Sequence, residues 1–105
     1  MAVDLGVEME QRQQIAQHNV DKVAQAALAA GVACQTVVAF SSLPYQEIIN
    51  AAVDNACDLI FMASHGRRGL SRMLAGSVAQ NVLAYSPIAV MVLRPPKPDH
   101  ELPMP

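Results

Sequence analysis

The fold is decided by residues 58–94, whose sequence is DLIFMASHGRRGLSRMLAGSVAQNVLAYSPIAVMVLR. The apolar run DLIFMA at 58–63 is typical of a strand that is buried on both faces of a parallel sheet. A glycine-rich basic loop follows, then a predicted helix at about 77–85 and a last apolar strand at 88–93, entered at Pro87. A strand, a helix and a second strand in this order predict two parallel strands joined by a crossover helix.

The same alternation extends toward the N-terminus. Apolar residues at helical spacing predict a helix over residues 8–30, and Gly31 is placed to end it. The β-branched segment 32–40 predicts a strand. Pro44 fits the first turn of a second helix, at roughly 43–56, because a proline there loses no helical hydrogen bond.

The chain of 105 residues is long enough for one domain. The predicted order α-β-α-β-α-β gives an α/β fold with an open parallel sheet and crossover helices, in a single domain at 1–94 followed by a Pro-rich tail at 95–105. A composition of 52% hydrophobic and 15% charged residues excludes an intrinsically disordered chain. No apolar run approaches the ~18–20 residues that span a bilayer, and the N-terminus does not have the pattern of a signal peptide.

Charge is distributed unevenly along the chain. Residues 1–58 carry a formal net charge of −5 and residues 59–105 one of +3, and no acidic residue lies between Leu59 and Pro98. This asymmetry predicts an anion site in the second half. The positive charge is small and has no interleaved aromatic residues, so a nucleic-acid partner is not expected.

The glycine-rich loop is the best candidate for that anion site. It runs from the carboxyl end of a predicted strand to the start of a predicted helix, where ligands bind in open α/β sheets. Gly66 and Gly76 are expected to permit a positive φ and close approach of a ligand to the backbone. Unpaired N–H groups at the helix start favour phosphate, and Arg67, Arg68 and Arg72 add donors. The alternative is a glycine-rich connector with solvated arginines.

Two further patterns give structural predictions. Ser77 and Gln80 have the spacing of a capping box, in which the serine side chain would cap the helix. Cys34 and Cys57 lie far apart and in no Cys/His cluster, so we expect no metal site there and interpret both as small buried hydrophobic residues. The alternative is a disulfide between them, which only the geometry decides.

The segment 58–94 resembles the corresponding segment of a known family, the universal stress proteins. ATP-binding members carry the pattern G-x2-G-x9-G-[ST]. Gly66, nine further residues and then Gly76 and Ser77 match its second half, whereas Ala63 stands where the first glycine is expected. The apolar strands on either side extend the match.

The resemblance implies an adenine nucleotide alpha hydrolase-like, Rossmann-like domain, with matching element order over roughly 8–94. It implies a cytoplasmic stress-response module that binds ATP or another adenine nucleotide and forms a homodimer through the strand Ile88–Leu93. The residues implied as the nucleotide site are Ala63, Ser64, Gly66, Arg67, Gly76, Ser77 and Val78. Family members also carry a strand, a helix and a second strand before this region, with an acidic residue that meets the adenosine. No residue here matches those parts, so the resemblance predicts a domain truncated at its N-terminus that binds ATP weakly.

Enzymatic activity has little support in the sequence. Ser64 and His65 are neighbours, so on a strand they would point to opposite faces and could not act as nucleophile and base. We therefore assign no catalytic residue and expect at most slow ATP hydrolysis. The alternative function is an interaction module of the same fold, which binds no nucleotide and works through its dimer surface.

Overall fold

The structure, a computed structural model, describes residues 5–64 and 76–94. The described elements, in chain order, are α1 (Leu5–Ala29), α2 (Pro44–Asp54), β1 (Leu59–Ala63), α3 (Ser77–Tyr85) and β2 (Ala89–Leu93). The chain divides into two units, one ending at Phe40 and the other beginning at Ser41. The predicted tail lies outside the described residues.

Helix α1 confirms the predicted first helix and begins earlier than expected. It ends in two backbone hydrogen bonds that close its last turn: Gly31 N–H donates to the Leu28 carbonyl (3.1 Å) and Val32 N–H donates to the Ala27 carbonyl (2.9 Å). Gly31 has a φ of 71°, a conformation that glycine adopts without the steric cost of a Cβ. The predicted stop at Gly31 is therefore confirmed.

The strand predicted over 32–40 is wrong: this segment has no strand assignment. High β-propensity describes a fit to a pleated, half-buried surface, and a strand exists only where a neighbour completes its hydrogen bonds. In the part of the chain that the structure describes, the only ladder joins β1 to β2, so this segment has no strand to pair with. Val37 and Phe40 are accordingly about half exposed.

Helix α2 confirms the predicted second helix. Pro44 occupies its first turn, as expected from the missing N–H of proline. The chain enters the helix through Leu43, whose backbone N–H donates to Ser41 Oγ at 3.0 Å. That bond fixes the turn just before the proline and so sets where the helix begins.

Strands β1 and β2 pair in parallel, in a register that runs from Leu59 opposite Ala89 to Ala63 opposite Leu93. Helix α3 lies between them in sequence and makes the crossover connection that parallel strands require. The parallel pair and its crossover helix, predicted from the apolar runs on either side of the loop, are confirmed, and they give an α/β fold with an open parallel sheet.

One face of this sheet is packed against α2 and α3. Ile60 of β1, Ala52 of α2 and Val82 of α3 form the buried cluster, and Val82 is fully buried. The residues packed around the cluster are partly buried and mostly apolar: Tyr45, Ile48, Ile49, Met62, Val78, Ile88 and Val90. The rings of Tyr45 and Tyr85, 5.6 Å apart between centroids, add a contact between the two helices.

The other face of the sheet is exposed, which corrects the prediction of a strand buried on both sides. Phe61 is 60% exposed and Met91, opposite it, is 52% exposed; Leu59 and Leu93 share the face. The reason is that α2 and α3 both pack on the face that carries Ile60. No other element of the described part of this unit is left to cover the second face.

Both cysteines are free and exposed, so the interpretation of them as buried hydrophobic residues is wrong. Cys57 lies in the turn after α2, where its N–H completes the end of the helix, and Cys34 lies in the unpaired segment 32–40. Neither position belongs to the buried cluster.

Among the described residues, no helix combines the length and the hydropathy that crossing a bilayer requires.

Candidate functional site

The candidate site lies where β1 ends and α3 begins. Two backbone hydrogen bonds build it. The N–H of Ser64 donates to the Leu93 carbonyl at 2.8 Å, which continues the β1–β2 ladder one residue beyond β1. The N–H of Gly76 donates to the Ser64 carbonyl, so the residue after the strand directly contacts the residue before the helix. The carboxyl end of a parallel strand and a helix N-terminus thus meet at one point, as in the ligand sites of open α/β sheets.

Four predicted site residues are thereby brought together. Ser64 and Gly76 are hydrogen-bonded, and Ser77 and Val78 form the first turn of α3. Ala63 ends β1 just before them and is exposed. The other two predicted site residues, Gly66 and Arg67, lie outside the described residues, as do Arg68 and Arg72.

The start of α3 is capped by the main chain alone. Gly76 is the N-cap residue, with φ −69° and ψ 168°, and no side chain makes a capping hydrogen bond. Its carbonyl accepts the N–H of Gln80 at 2.9 Å. The first N–H groups of a helix have no acceptor within the helix, and the helix dipole is positive there. An oxyanion at Ser77 and Val78 would accept hydrogen bonds from these N–H groups and lie at the positive end of the helix dipole.

The capping box predicted at Ser77 and Gln80 is wrong. The helix begins one residue earlier than that pattern requires, so Ser77 is already a helical residue, with an exposed side chain. Glycine is tolerated at an N-cap, and its carbonyl makes the first helical bond as any residue would. The prediction of a positive φ at Gly76 is also wrong, because its φ and ψ are those of extended chain.

Ala63 fits the site without backbone strain. Among the described residues other than glycine, only Ala56 has a positive φ, so Ala63 adopts a conformation that any residue accepts. Alanine in place of the expected glycine therefore does not distort the end of β1.

The most unusual atom at the site is the hydroxyl of Ser64. Ser64 is 1% exposed, and its Oγ makes no hydrogen bond. The sequence motif predicts a role in the site for the backbone groups of Ser64 and assigns none to its side chain. The signal was present in the period of the strand, because Ser64 follows Ile60 and Met62 at every second position and so lies on the buried face.

The described residues do not assemble a metal site, since no group of three His, Cys, Asp or Glu side chains comes together among them. The described part of the candidate site consists of backbone N–H groups and serine hydroxyls, with no carboxylate. Such a set offers donors to an oxyanion and offers a divalent cation no strong ligand.

Comparison with known proteins matches both the sequence and the fold. The model of the universal stress protein family matches residues 1–94. The chain is 40% identical over 52 residues to universal stress protein MJ0577 of Methanocaldococcus jannaschii, a match that covers 50% of this chain and 32% of that protein. It is also 40% identical over 55 residues to universal stress protein MJ0531 of the same organism, across 52% of this chain and 32% of the relative.

The fold is similar to the solved structure of hypothetical protein MJ0577, with a TM-score of 0.80 and 25% identity. That similarity covers 88% of this chain and 63% of the solved chain, so the present chain spans less than two thirds of its structural relative. Together with the family match over residues 1–94, these similarities establish that the chain belongs to the universal stress protein family.

Proposed function

We propose that this chain binds the phosphates of ATP or of another adenine nucleotide at the N-terminus of α3, and that it serves as a stress-response module in the cytoplasm. The observation that carries the proposal is the hydrogen bond from Gly76 N–H to the Ser64 carbonyl, which holds the end of β1 against the start of α3. Because this end of the helix has no side-chain cap, the first-turn N–H groups remain available to an oxyanion.

The remaining support comes from the sequence. The spacing of Gly66, Gly76 and Ser77 resembles the phosphate-binding pattern of ATP-binding family members, and the chain belongs to that family. The positive net charge of residues 59–105 attracts an anion to the same half of the chain.

We expect the affinity for ATP to be modest. The described site residues supply donors for phosphate and no carboxylate for the ribose or adenine. Phosphate contacts that are partly open to water correspond to a Kd nearer millimolar than micromolar, roughly −4 rather than −8 kcal/mol. Micromolar binding in a calorimetric titration, with amide shifts that reach Val37 and Val38 as well as Gly66, would show that the chain contains a fuller adenine site than proposed.

Two substitutions at Ser77 distinguish the contribution of its backbone N–H to ATP binding from that of its side chain. Ser77→Pro removes one first-turn N–H, and proline is tolerated at the first helical position, as Pro44 is in α2. The extended φ and ψ of Gly76 are also those favoured before a proline. We expect Ser77→Pro to weaken ATP binding about tenfold, since hydrogen bonds to charged groups contribute ~1.5–3 kcal/mol. The matched control, Ser77→Ala, keeps the N–H and should bind within about threefold of wild type.

Titration calorimetry at constant ionic strength measures both variants, and circular dichroism verifies the helix. Equal affinities for Ser77→Pro and wild type would contradict a site built on the first-turn N–H groups.

We further propose that the chain forms a homodimer through β2. This strand pairs with β1 along one edge, and the described residues supply no partner for its other edge. An uncharged aliphatic strand with a free edge invites pairing with another strand. A dimer that binds no phosphate would instead favour the alternative function, an interaction module.

The dimer proposal is tested by placing a charge on β2. Met91→Lys should shift the chain toward monomer, because a lysine on β2 places a charge that is costly to desolvate at the proposed interface. The control is Phe61→Lys, the register partner of Met91 on β1, which carries the same charge one strand farther from the proposed interface. Sedimentation velocity gives the masses, and a wild-type chain that is monomeric at high concentration would contradict the proposal.

A further inference from the structure

The buried hydroxyl of Ser64 has no hydrogen-bonding role in the described fold. Ser64 is 1% exposed and its Oγ has no partner. Buried polar atoms in native proteins are nearly always hydrogen-bonded, because an unpaired one costs the free energy of its lost hydration. Its backbone, by contrast, is fully engaged, with the N–H bonded to Leu93 and the carbonyl to Gly76.

The position of the hydroxyl follows from the geometry of β1. Side chains alternate along a strand, so Ser64 shares a face with Ile60 and Met62. That is the face on which α3 packs, since Ile60 and Val82 belong to one buried cluster. The carbonyl of the same residue accepts the N–H of Gly76, the N-cap of α3. The hydroxyl therefore lies on the α3 side of the sheet, at the N-terminal end of this nine-residue helix.

We infer that the Ser64 hydroxyl is a ligand-binding group that donates a hydrogen bond to an oxygen of the phosphate bound at α3. The inference rests on the proposed function and adds a side-chain donor to it. A hydroxyl can rotate its proton toward whichever acceptor arrives, and the bond to an anionic oxygen is charge-assisted. Shielding from water strengthens such a bond, and binding supplies the partner that the free chain lacks.

The test compares Ser64→Ala with Ser42→Ala, the same chemical change at a buried serine of the site and at an exposed serine outside it. Tripolyphosphate is titrated into each chain at constant ionic strength, and the amide shifts of Ser77 and Val78 are followed. We expect Ser64→Ala to weaken binding about tenfold or more, the usual effect of one hydrogen bond to a charged group, and Ser42→Ala to change it little.

The thermal stability of the free chain separates a binding role from a structural one. Removing an unpaired buried hydroxyl should leave the Tm of the unliganded Ser64→Ala chain unchanged or raised. Ser64→Cys keeps the side-chain shape, with a somewhat larger atom in place of the oxygen, and substitutes a weak donor, so it should lose affinity as well.

Three outcomes decide the matter. A lower Tm with unchanged affinity would make the hydroxyl structural and overturn the inference. Equal affinity of Ser64→Ala, Ser64→Cys and wild type would overturn the inference and leave the phosphate site standing. A wild-type chain that does not bind tripolyphosphate would overturn the proposed function and the inference with it.

Discussion

At the scale of single residues, the end of α2 shows how the backbone constrains side-chain choice. Ala56 has a φ of 55°, in the left-handed region, and follows the last residues of the helix. Its N–H donates to the Val53 carbonyl and that of Cys57 to the Ala52 carbonyl, the same pattern that Gly31 makes after α1. The two turns are alike, but the second has an alanine where glycine is preferred.

Ala56→Gly should therefore stabilise the chain. An L-residue in the left-handed conformation costs ~1–2 kcal/mol, and the extra freedom of glycine in the unfolded chain returns part of that. We expect a net gain of about 0.5–1 kcal/mol in the free energy of unfolding. Ala51→Gly inside α2 is the matched control and should lose about 1 kcal/mol. Urea unfolding measures both, and a loss of stability in Ala56→Gly would refute this explanation.

At the scale of elements, local sequence predicted what local chemistry controls. Pro44 marks the start of α2 and Gly31 the end of α1, as expected. The fixed φ of proline and the positive φ that glycine permits are properties of the single residue and need no contact with the rest of the chain. The segment 32–40 was predicted wrongly for the opposite reason. A strand forms only where a neighbouring strand completes its hydrogen bonds, and the sequence of the segment 32–40 does not show whether such a neighbour exists.

The candidate site also has features that the sequence predicts and features that it does not. Its place at the end of β1 and the start of α3 could be predicted, since a buried strand, a glycine-rich loop and a helix follow one another in sequence. The cap could not be predicted, because Gly76 and Ser77 are both acceptable N-cap residues and the Ser64–Gly76 bond selects between them. The unpaired state of the Ser64 hydroxyl depends on which groups surround it in space.

The two faces of β1 should respond differently to one substitution. Ile60→Thr removes apolar contacts from the cluster and buries a hydroxyl, so we expect a loss of about 2–4 kcal/mol in stability. Phe61→Thr keeps a residue of high β-propensity at a position that is 60% exposed, and should cost under about 1 kcal/mol. Chemical denaturation of both variants checks the difference. Similar losses would mean that the face of Phe61 is covered in solution.

At the scale of the whole molecule, the family match and the fold similarity agree on an α/β domain of the universal stress protein type. The extent of that domain at 1–94 stays a prediction. The apolar pattern of residues 58–94 was enough to predict the parallel sheet, because both of its strands lie within that segment. The exposed sheet face was not predicted, since the cover on a face comes from elements distant in sequence.

The central claim is that phosphate binds at the N-terminus of α3, and amide chemical-shift mapping tests it most directly. Tripolyphosphate is added to the isotope-labelled chain at constant ionic strength, which removes general screening effects. We expect the largest saturable shifts on Gly76, Ser77 and Val78, with Gly66 and Arg67 also affected. Saturable shifts confined to other segments, such as α1, or no saturable shift at all, would contradict the claim.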